Sequence, residues 1–182
     1  ANRLVRLNQD GSQDKTFNPF YGDLTSVYSI AELPDGKLIT SGHSKNLEGL
    51  FHENVRRLNP DGTVDDSWLG RANEKTECVL LVRSNQLVLG GYFSELSGKP
   101  RSGVGRLFED GSADEEFFAL VDNFVWTVAP AQKDKILICG GFTAVDGIPR
   151  AGVARLILPE STGPISTPPP TPPTIREARI ED

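Results

Sequence analysis

The sequence predicts an all-β fold, a β-propeller of four-stranded antiparallel blades, and two observations carry this prediction. The first is a line of sequence that returns at a spacing of 49 to 51 residues along the 182-residue chain. The second is the make-up of each copy, in which short strand-like runs alternate with turns containing Gly and Pro, without helical periodicity. Several antiparallel strands in a unit of about 50 residues, repeated side by side, are typical of propeller blades.

The repeated line reads Arg-Leu-x-x-Asp-Gly followed by Ser or Thr. It occupies residues 6–12, 57–63 and 106–112, and a degenerate fourth copy starts at Val153. Two further features keep the same spacing: the glycines Gly42, Gly91 and Gly140, and the aromatic residues Phe17, Trp68 and Phe117. Because one blade cannot bury both of its faces alone, we expect these aromatic side chains to pack between neighbouring blades.

The second unit shows the predicted strands most clearly. Residues 27–33 alternate apolar and polar side chains and predict a half-buried first strand. A Pro-Asp-Gly turn leads into a second strand at residues 37–42, and a third strand is predicted at residues 54–59. Asn-Pro-Asp-Gly at residues 59–62 suits a turn with Gly in the left-handed conformation, followed by a short fourth strand that ends at Trp68.

We expect about three and a half blades, a partial or open propeller, within residues 1–158. The units span about residues 1–17, 18–68, 69–117 and 118–158, of which the first supplies only its last two strands and the fourth its first three. This incomplete count predicts that the chain is part of a larger ring. Residues 159–174 are rich in Pro and Thr and predict a semi-rigid linker, and residues 175–182 are predicted to begin a following, absent domain.

Charge and composition argue against several classes of partner. A formal net charge of −6 disfavours nucleic acid, which requires clustered Lys and Arg. No apolar run approaches the ~20 residues that cross a bilayer, so membrane insertion is not expected. Cys78 and Cys139 lie in apolar runs at non-equivalent positions of different repeats. They are predicted to be small buried hydrophobic residues, with a disulfide or a reactive thiol as less favoured alternatives.

The repeated aspartates, in the pairs Asp10/Asp14, Asp61/Asp65 and Asp110/Asp114, are candidate calcium ligands. Calcium takes six to eight oxygen ligands, however, and two carboxylates per turn fall short of that number. The favoured interpretation is that Asp accepts hydrogen bonds from turn amides while Gly supplies a positive φ. Two histidines give no zinc triad. We therefore predict no metal site and no cofactor.

One arginine recurs in the third strand of every unit, and the four are Arg6, Arg57, Arg106 and Arg155. Because every unit has one, we predict that it pairs with a repeat aspartate or packs on a neighbouring aromatic side chain. A catalytic residue would instead occur once. The non-repeated candidates are His43, His52, Glu48, Glu53, Phe20 and Tyr21, and His52 aligns with Arg101 and Arg150, as a drifted surface position would. No catalytic residue is predicted, because no nucleophile elbow or phosphate-binding loop is present in the sequence.

The motifs Arg-Leu-Asn-x-Asp-Gly-Ser, Leu-Pro-Asp-Gly-Lys-Leu-Ile and Gly-Gly-x-Phe together resemble the delta-60 repeat family of bacterial β-propellers, over about residues 3–158. The resemblance implies a secreted or cell-surface protein, often large and multidomain, whose biochemical activity is generally unassigned. Two departures stand out: Ser-Gly-His-Ser at residues 41–44 replaces the Gly-Gly motif, and Leu-Pro-Glu at residues 158–160 replaces Asp-Gly.

These observations favour a non-catalytic binding or scaffold module. Its partner would be a protein or a glycan, met by loops on one face, and variation is expected in loops 18–26, 43–53 and 92–102. One alternative is a propeller enzyme acting on polysaccharide at a central channel. The other is a self-assembling element whose open blade edges pair with a second chain.

Overall fold

The computed structural model describes residues 4–19, 24–44, 54–160 and 163, and this part of the chain is built from β-strands and turns. Its helical content is one 3-10 turn at Arg83–Asn85. In chain order the strands are β1 (Leu24–Glu32), β2 (Leu38–Ser44), β3 (Val55–Leu58), β4 (Thr76–Leu81), β5 (Leu87–Gly91), β6 (Glu95–Leu96), β7 (Lys99–Pro100), β8 (Val104–Leu107), β9 (Val125–Pro130), β10 (Lys135–Gly140), β11 (Ala144–Val145), β12 (Ile148–Pro149) and β13 (Val153–Ile157). The predicted all-β class is confirmed.

Three of the predicted units each form one three-stranded antiparallel sheet. The strand orders are β1-β2-β3 in the second unit, β4-β5-β8 in the third and β9-β10-β13 in the fourth. These sheets agree with the first three strands that the sequence predicts for the second, third and fourth units. In the third unit every residue of the middle strand β5 is buried, and Leu87 to Leu89 are fully buried.

The predicted fourth strand is replaced by a single bridge in the described residues. Leu58 pairs with Val64 and Leu107 with Ala113, and neither pairing extends to a second residue. In the second unit the backbone curls directly after the bridge, because Oδ1 of Asp65 accepts hydrogen bonds from the backbone amide and hydroxyl of Ser67. Neither four-stranded blades nor the number of blades is confirmed, and the described sheets do not close into a ring.

Two short ribbons, β6-β7 and β11-β12, lie in segments for which the sequence predicts only loops. Each turns through two residues with positive φ: Ser97 and Gly98 at 47° and 77°, and Asp146 and Gly147 at 51° and 73°. Such pairs form the tight turns whose twist matches a two-stranded hairpin. The dipeptides Ser-Gly and Asp-Gly were the signal that would have predicted these ribbons.

The units stack on one another and bury their apolar residues between them. Strand β1 packs against β4, and β4 packs against β9, so the first strands of successive sheets adjoin. One apolar cluster joins the second and third units and includes Trp68; another joins the third and fourth and includes Phe117. The predicted packing between units is thus confirmed for Trp68 and Phe117, and Phe17 is buried as well.

The remaining predictions about the chain's organisation lie largely outside the described residues. These include the linker beyond Glu160, apart from Gly163, and the segment at residues 175–182. In the part of the chain that the structure describes, no helix has the length and apolar character of a membrane span.

Candidate functional site

Each repeated arginine of the first three units ties its own unit to the segment that follows. In the third unit, Nε of Arg106 donates to Oδ2 of Asp114 at 2.6 Å, and its Nη1 donates to the carbonyl of Pro159 at 2.9 Å. The other copies make the same contacts: Arg57 with Asp65 and the carbonyl of Glu109, and Arg6 with Asp14 and the carbonyl of Pro60. The carbonyl of Pro159 therefore accepts the hydrogen bond that the carbonyls of Pro60 and Glu109 accept in the other copies. It does so although the fourth copy of the repeat lacks the Asp-Gly pair.

The arginines also lie over the repeated aromatic rings, as the sequence predicts. The guanidinium carbons of Arg6, Arg57 and Arg106 are 4.8, 5.9 and 5.4 Å from the ring centroids of Phe17, Trp68 and Phe117. Nε1 of Trp68 donates to the carbonyl of Glu109 in the next unit at 3.1 Å. These polar groups are thus engaged in joining units.

The repeated aspartates are engaged in the turns themselves. Oδ1 of Asp61 accepts from the backbone amide and hydroxyl of Thr63 at 2.9 and 2.7 Å, and Asp10 and Asp110 repeat this with Ser12 and Ser112. These hydrogen bonds lower the pKa of Asp10 and Asp61. Among the described residues, no three acidic, His or Cys side chains are grouped as metal ligands. The turn interpretation accounts for each of these carboxylates, and calcium binding stays untested.

Most of the non-repeated candidate residues lie in parts of the chain that the structure does not describe. His52, Glu48, Glu53, Phe20 and Tyr21 lie outside the described residues. His43 is half-buried near the end of β2, and Arg155 is exposed on β13, where Gly163 stands in place of a pairing aspartate. Arg101 is buried and donates to the carbonyl of Asp114, whereas Arg150 is exposed. Of the six non-repeated candidates, only His43 lies among the described residues.

Both cysteines are free. Cys78 on β4 is buried, and burial raises the pKa of its thiol to about 11, which keeps it in the unreactive protonated form at neutral pH. Cys139 on β10 is half-buried. The prediction of small buried hydrophobic residues is confirmed for Cys78 and holds only in part for Cys139.

A β-bulge interrupts the first strand of each three-stranded sheet at the same place. The register passes from Thr76–Gly91 to Cys78–Gly90 in the third unit, so that Glu77 is the extra residue. The corresponding extra residues are Tyr28 in β1 and Trp126 in β9. Bulges redirect side chains and occur often beside functional sites. The repeated backbone therefore presents a side chain that differs in every unit.

The glycines that recur every 49 residues make these bulges possible. A Cβ atom added to Gly91 would lie 2.3 Å from the carbonyl oxygen of Lys75, and one added to Gly140 would lie 2.1 Å from that of Phe124. Any larger residue would push the first strand away. The bulge is thus dictated by the repeat, even though the residue it presents is not.

Four aromatic side chains and Lys75 form a continuous row, which we call the aromatic strip. Its residues are Tyr28, Lys75, Tyr92, Phe124 and Trp126. The Tyr92 and Phe124 rings stack with centroids 4.5 Å apart at 23°, and Phe124 and Trp126 follow at 5.0 Å and 43°. Tyr28, Tyr92 and Trp126 remain 44%, 43% and 55% exposed.

Lys75 bridges the gap between the rings of the second and third units. Its Nζ lies 4.8 Å from the centroid of Tyr28 and 5.3 Å from that of Tyr92, in cation–π range. Nζ also contacts Oε1 of Glu77 at 2.6 Å. The hydrogen bond with Glu77 raises the pKa of Lys75, so the ammonium remains charged at neutral pH.

Gly141 supports the centre of the aromatic strip. A Cβ atom at this position would lie 2.3 Å from the Phe124 ring. Gly141 stands 49 residues after Tyr92, and Tyr92 stands 49 after His43. The loss of a side chain in the fourth unit leaves room for Phe124 to lie against Tyr92 of the third.

A polar cleft borders the stacked pair of rings. It is lined by Tyr92, Ser94, Ser102, Asp122, Asn123 and Phe124. Asp122 accepts from the backbone amide and hydroxyl of Thr143 at 2.8 and 2.6 Å, and these hydrogen bonds lower the pKa of its carboxyl group. The cleft therefore places an ionised carboxylate, an amide and two hydroxyls beside apolar ring surface. Within the protein, Asn123 donates to the carbonyl of Gly141 and accepts from the amide of Phe124, Ser102 donates to the carbonyl of Val121, and Ser94 accepts from Asn73. The second N–H of Asn123 and the remaining lone pairs and hydroxyl proton are left for a ligand.

The sequence prediction missed the aromatic strip, although loop 92–102 begins within it. The available signal was the self-alignment: the three units carry Tyr28, Glu77 and Trp126 at one position and His43, Tyr92 and Gly141 at another. Both positions adjoin repeated glycines. A search of the self-alignment for positions at which the three units carry different residues would have identified these two positions.

A family model described as a β-propeller domain of unknown function, DUF5122, matches residues 1–17, 33–67, 84–117 and 132–156, which is more than half of the chain. Of the five residues of the aromatic strip, only Tyr92 lies in a matched segment. No curated protein matches the chain.

Among solved structures, the chain is similar to an X-ray structure called "the putative gluconolactonase", at 14% identity and a TM-score of 0.32. The similarity covers 81% of this chain and 63% of the other, so the chain spans less than two thirds of that protein's length. A likeness at this level carries no information about activity.

Proposed function

The chain belongs to the DUF5122 family of β-propeller domains of unknown function, and from this premise we propose that it is a non-catalytic binding module whose ligand lies on the aromatic strip. One observation carries the proposal. The strip lies at positions where the units differ, and Tyr28, Tyr92 and Trp126 stay exposed although the fold buries the repeated aromatic residues.

The division between repeated and non-repeated residues supports this role. Repeated Arg and Asp side chains are engaged within and between units, as Arg57 is with Asp65 and Glu109. Large exposed aromatic surface is costly to leave in water and often marks an interaction site. In this account the repeat forms the scaffold, and the bulges present the residues that recognise a ligand.

The proposal includes the finer organisation that the sequence predicts. We propose that each three-stranded sheet is a blade of the delta-60 type within a larger ring, with the bridged segment as the fourth part of the blade in the second and third units. The domain would then serve a secreted or cell-surface bacterial protein as a binding or scaffold module. The resemblance of the repeated motifs to that family supports this placement.

The test is a screen of the complete chain against glycans and peptides, with two simultaneous readouts. Retention of the chain on an immobilised glycan or peptide measures binding. Release of reducing ends or unsaturated sugars measures cleavage of a glycan. We expect retention without cleavage, weakened by Trp126→Ala. Phe118→Ala is the matched control, since Phe118 is 56% exposed outside the strip. Cleavage that Trp126→Ala abolishes would contradict a non-catalytic role and favour an enzyme acting on polysaccharide.

Self-association is a second candidate, supported by the edge strand β13. Val153 and Ile157 on this strand are 55% and 69% exposed, and an exposed edge strand with apolar side chains is prone to pair with another chain. The mass of the chain in solution, measured over a range of concentrations, distinguishes self-association from the binding of a separate ligand. A strict monomer at high concentration would exclude self-association.

A further inference from the structure

We propose that the aromatic strip recognises an uncharged, linear oligosaccharide or polysaccharide. This inference rests on the proposed binding role of the strip and adds the chemical class of its ligand. It follows from the nature of the rings, the direction of the row, the polar groups beside it and the sign of the nearby charge.

Trp126 provides the apolar ring surface that a sugar requires, while Tyr92 and Phe124 are stacked on each other and offer mainly their edges. A pyranose has faces made of C–H groups, which pack on an aromatic ring, while its hydroxyls point outward to polar partners. Trp126 is the most exposed ring of the strip, and its 43° tilt from Phe124 places it outside the closer stack. It is therefore the ring best placed to accept a sugar.

The row is long and narrow, which fits a chain-like ligand. It begins with Tyr28 on β1 of the second unit, passes Lys75 and Tyr92 of the third, and ends with Trp126 on β9 of the fourth. Contacts would thus be spread over three successive sheets. A compact ligand would occupy only one end of such a row.

The polar groups beside the rings suit hydroxyl groups. Ser94, Ser102, Asp122 and Asn123 line the cleft next to Tyr92 and Phe124. Carboxylates accept hydrogen bonds, amides both donate and accept, and hydroxyls do the same. Binding sites for small ligands combine such a few polar groups with aromatic walls.

The charge near the strip disfavours an anionic ligand. The Lys75 ammonium is neutralised by Glu77 at 2.6 Å. Glu74, whose Oε2 accepts from the Lys75 amide, and Asp122, which accepts from Thr143, add two carboxylates beside the strip. Uronate-rich or sulfated chains would be repelled by this surface, whereas uncharged sugars would not.

The experiment measures binding of defined probes to the complete chain by titration calorimetry and by acrylamide quenching of Trp126. The chain has two tryptophans, and Trp68 is only 6% exposed, so quenching reports on the strip. The uncharged probes are the hexasaccharides of cellulose, xylan, mannan and chitin. Hexagalacturonate and octalysine test anionic and cationic ligands. The variants are Trp126→Ala, Tyr92→Ala and the control Phe118→Ala.

We expect at least one uncharged hexasaccharide to bind and to protect Trp126 from acrylamide. Trp126→Ala should weaken this binding about tenfold or more, and Phe118→Ala should leave it unchanged. If only hexagalacturonate or octalysine binds at the strip, the ligand class is wrong while the binding role stands. If no probe, glycan or peptide binds, or if Trp126→Ala affects none of them, both the inference and the binding role are overturned.

Discussion

The repeated Arg–Asp ion pair occurs in three copies, and the three copies differ in how deeply they are buried. The side chains of Arg106 and Asp114 are 0% and 1% exposed, whereas those of Arg6 and Asp14 are 42% and 18% exposed. The sequence motif is the same in both. What differs is the exposure of each copy, which falls from the first unit to the third. The energetic role of one repeated residue therefore depends on its unit.

The first prediction concerns these pairs. Asp114→Asn should lower the free energy of unfolding by about 3–5 kcal/mol, because it leaves the Arg106 guanidinium buried without its carboxylate. Asp14→Asn is the matched control and should cost much less, since solvent replaces the lost contact. Urea denaturation measures both. Equal losses would show that depth does not govern the pair.

The second prediction concerns acid. Hydrogen bonds from Thr16 hold the pKa of Asp14 at about 2, and the hydrogen bond from Lys37 lowers the pKa of Asp65 well below its usual range. Both folded-state values lie below the unfolded value of about 3.9, so protonation favours the unfolded chain. Their stabilisation is therefore fully present above about pH 4 and is lost as the pH falls through the folded-state values.

Thermal melts between pH 7 and pH 2 check this expectation. The melting temperature should stay level down to about pH 5 and fall below about pH 4. Asp65→Asn should flatten that fall, whereas Asp66→Asn, at an exposed neighbouring position, should not. A melting temperature that rises on acidification would contradict the assignment.

At the scale of the elements, the turns and bulges decide how units fit together. Gly111 follows β8 and has a φ of 89°. An added Cβ would lie 2.8 Å from Trp68, the last residue of the second unit, and 2.2 Å from the amide of Gly70, two residues further along the chain. Gly11 occupies the same turn in the first unit with a φ of 83°, but an added Cβ would meet nothing within 4 Å.

The third prediction uses this pair of glycines. Gly11→Ala should cost about 1 kcal/mol, the strain of a side chain at positive φ. Gly111→Ala carries the same strain and in addition a clash with backbone and ring, which should add about 1–3 kcal/mol. Urea denaturation of the two variants gives the difference. If they lose the same stability, the close contact between the units is not as described.

The fourth prediction concerns Gly141 beneath Phe124. Gly141→Ala should displace the ring, because the new Cβ would lie 2.3 Å from it, and so separate Phe124 from Tyr92. The expected readouts are changed ring-current shifts in NMR spectra and weaker ligand binding, with a small change in stability. Thr127→Ala, at an exposed position of β9, is the control. Unchanged Tyr92 and Phe124 signals would contradict the stacking.

For the whole molecule, the repeat was enough to predict the all-β class, the first three strands of the second, third and fourth units and the burial of Trp68. It was also enough to predict that Arg57 pairs with Asp65, because both recur at fixed spacing. It did not predict that the fourth segment would form one bridge only, since the turn at Asp65 ends the pairing through side-chain hydrogen bonds that strand patterns do not include.

The aromatic strip escaped prediction for a different reason. Tyr28 and Trp126 read as ordinary members of alternating strands, and an alternating pattern assigns each residue to a face without any bulge. The bulge shifts them relative to that pattern, and the contacts between Tyr92 and Phe124 join residues of different units. Such contacts depend on how sheets stack, which no local pattern contains.

The central claim is that repeated residues build the fold and that the aromatic strip, at non-repeated positions, remains free to bind. The most direct measurement is the free energy of unfolding of two variants, Trp68→Ala and Trp126→Ala. Trp68 is 6% exposed and Trp126 is 55% exposed. We predict a loss of about 3–5 kcal/mol for Trp68→Ala and less than about 1 kcal/mol for Trp126→Ala. A comparable loss for Trp126→Ala would show that the strip is part of the scaffold, and would contradict the account.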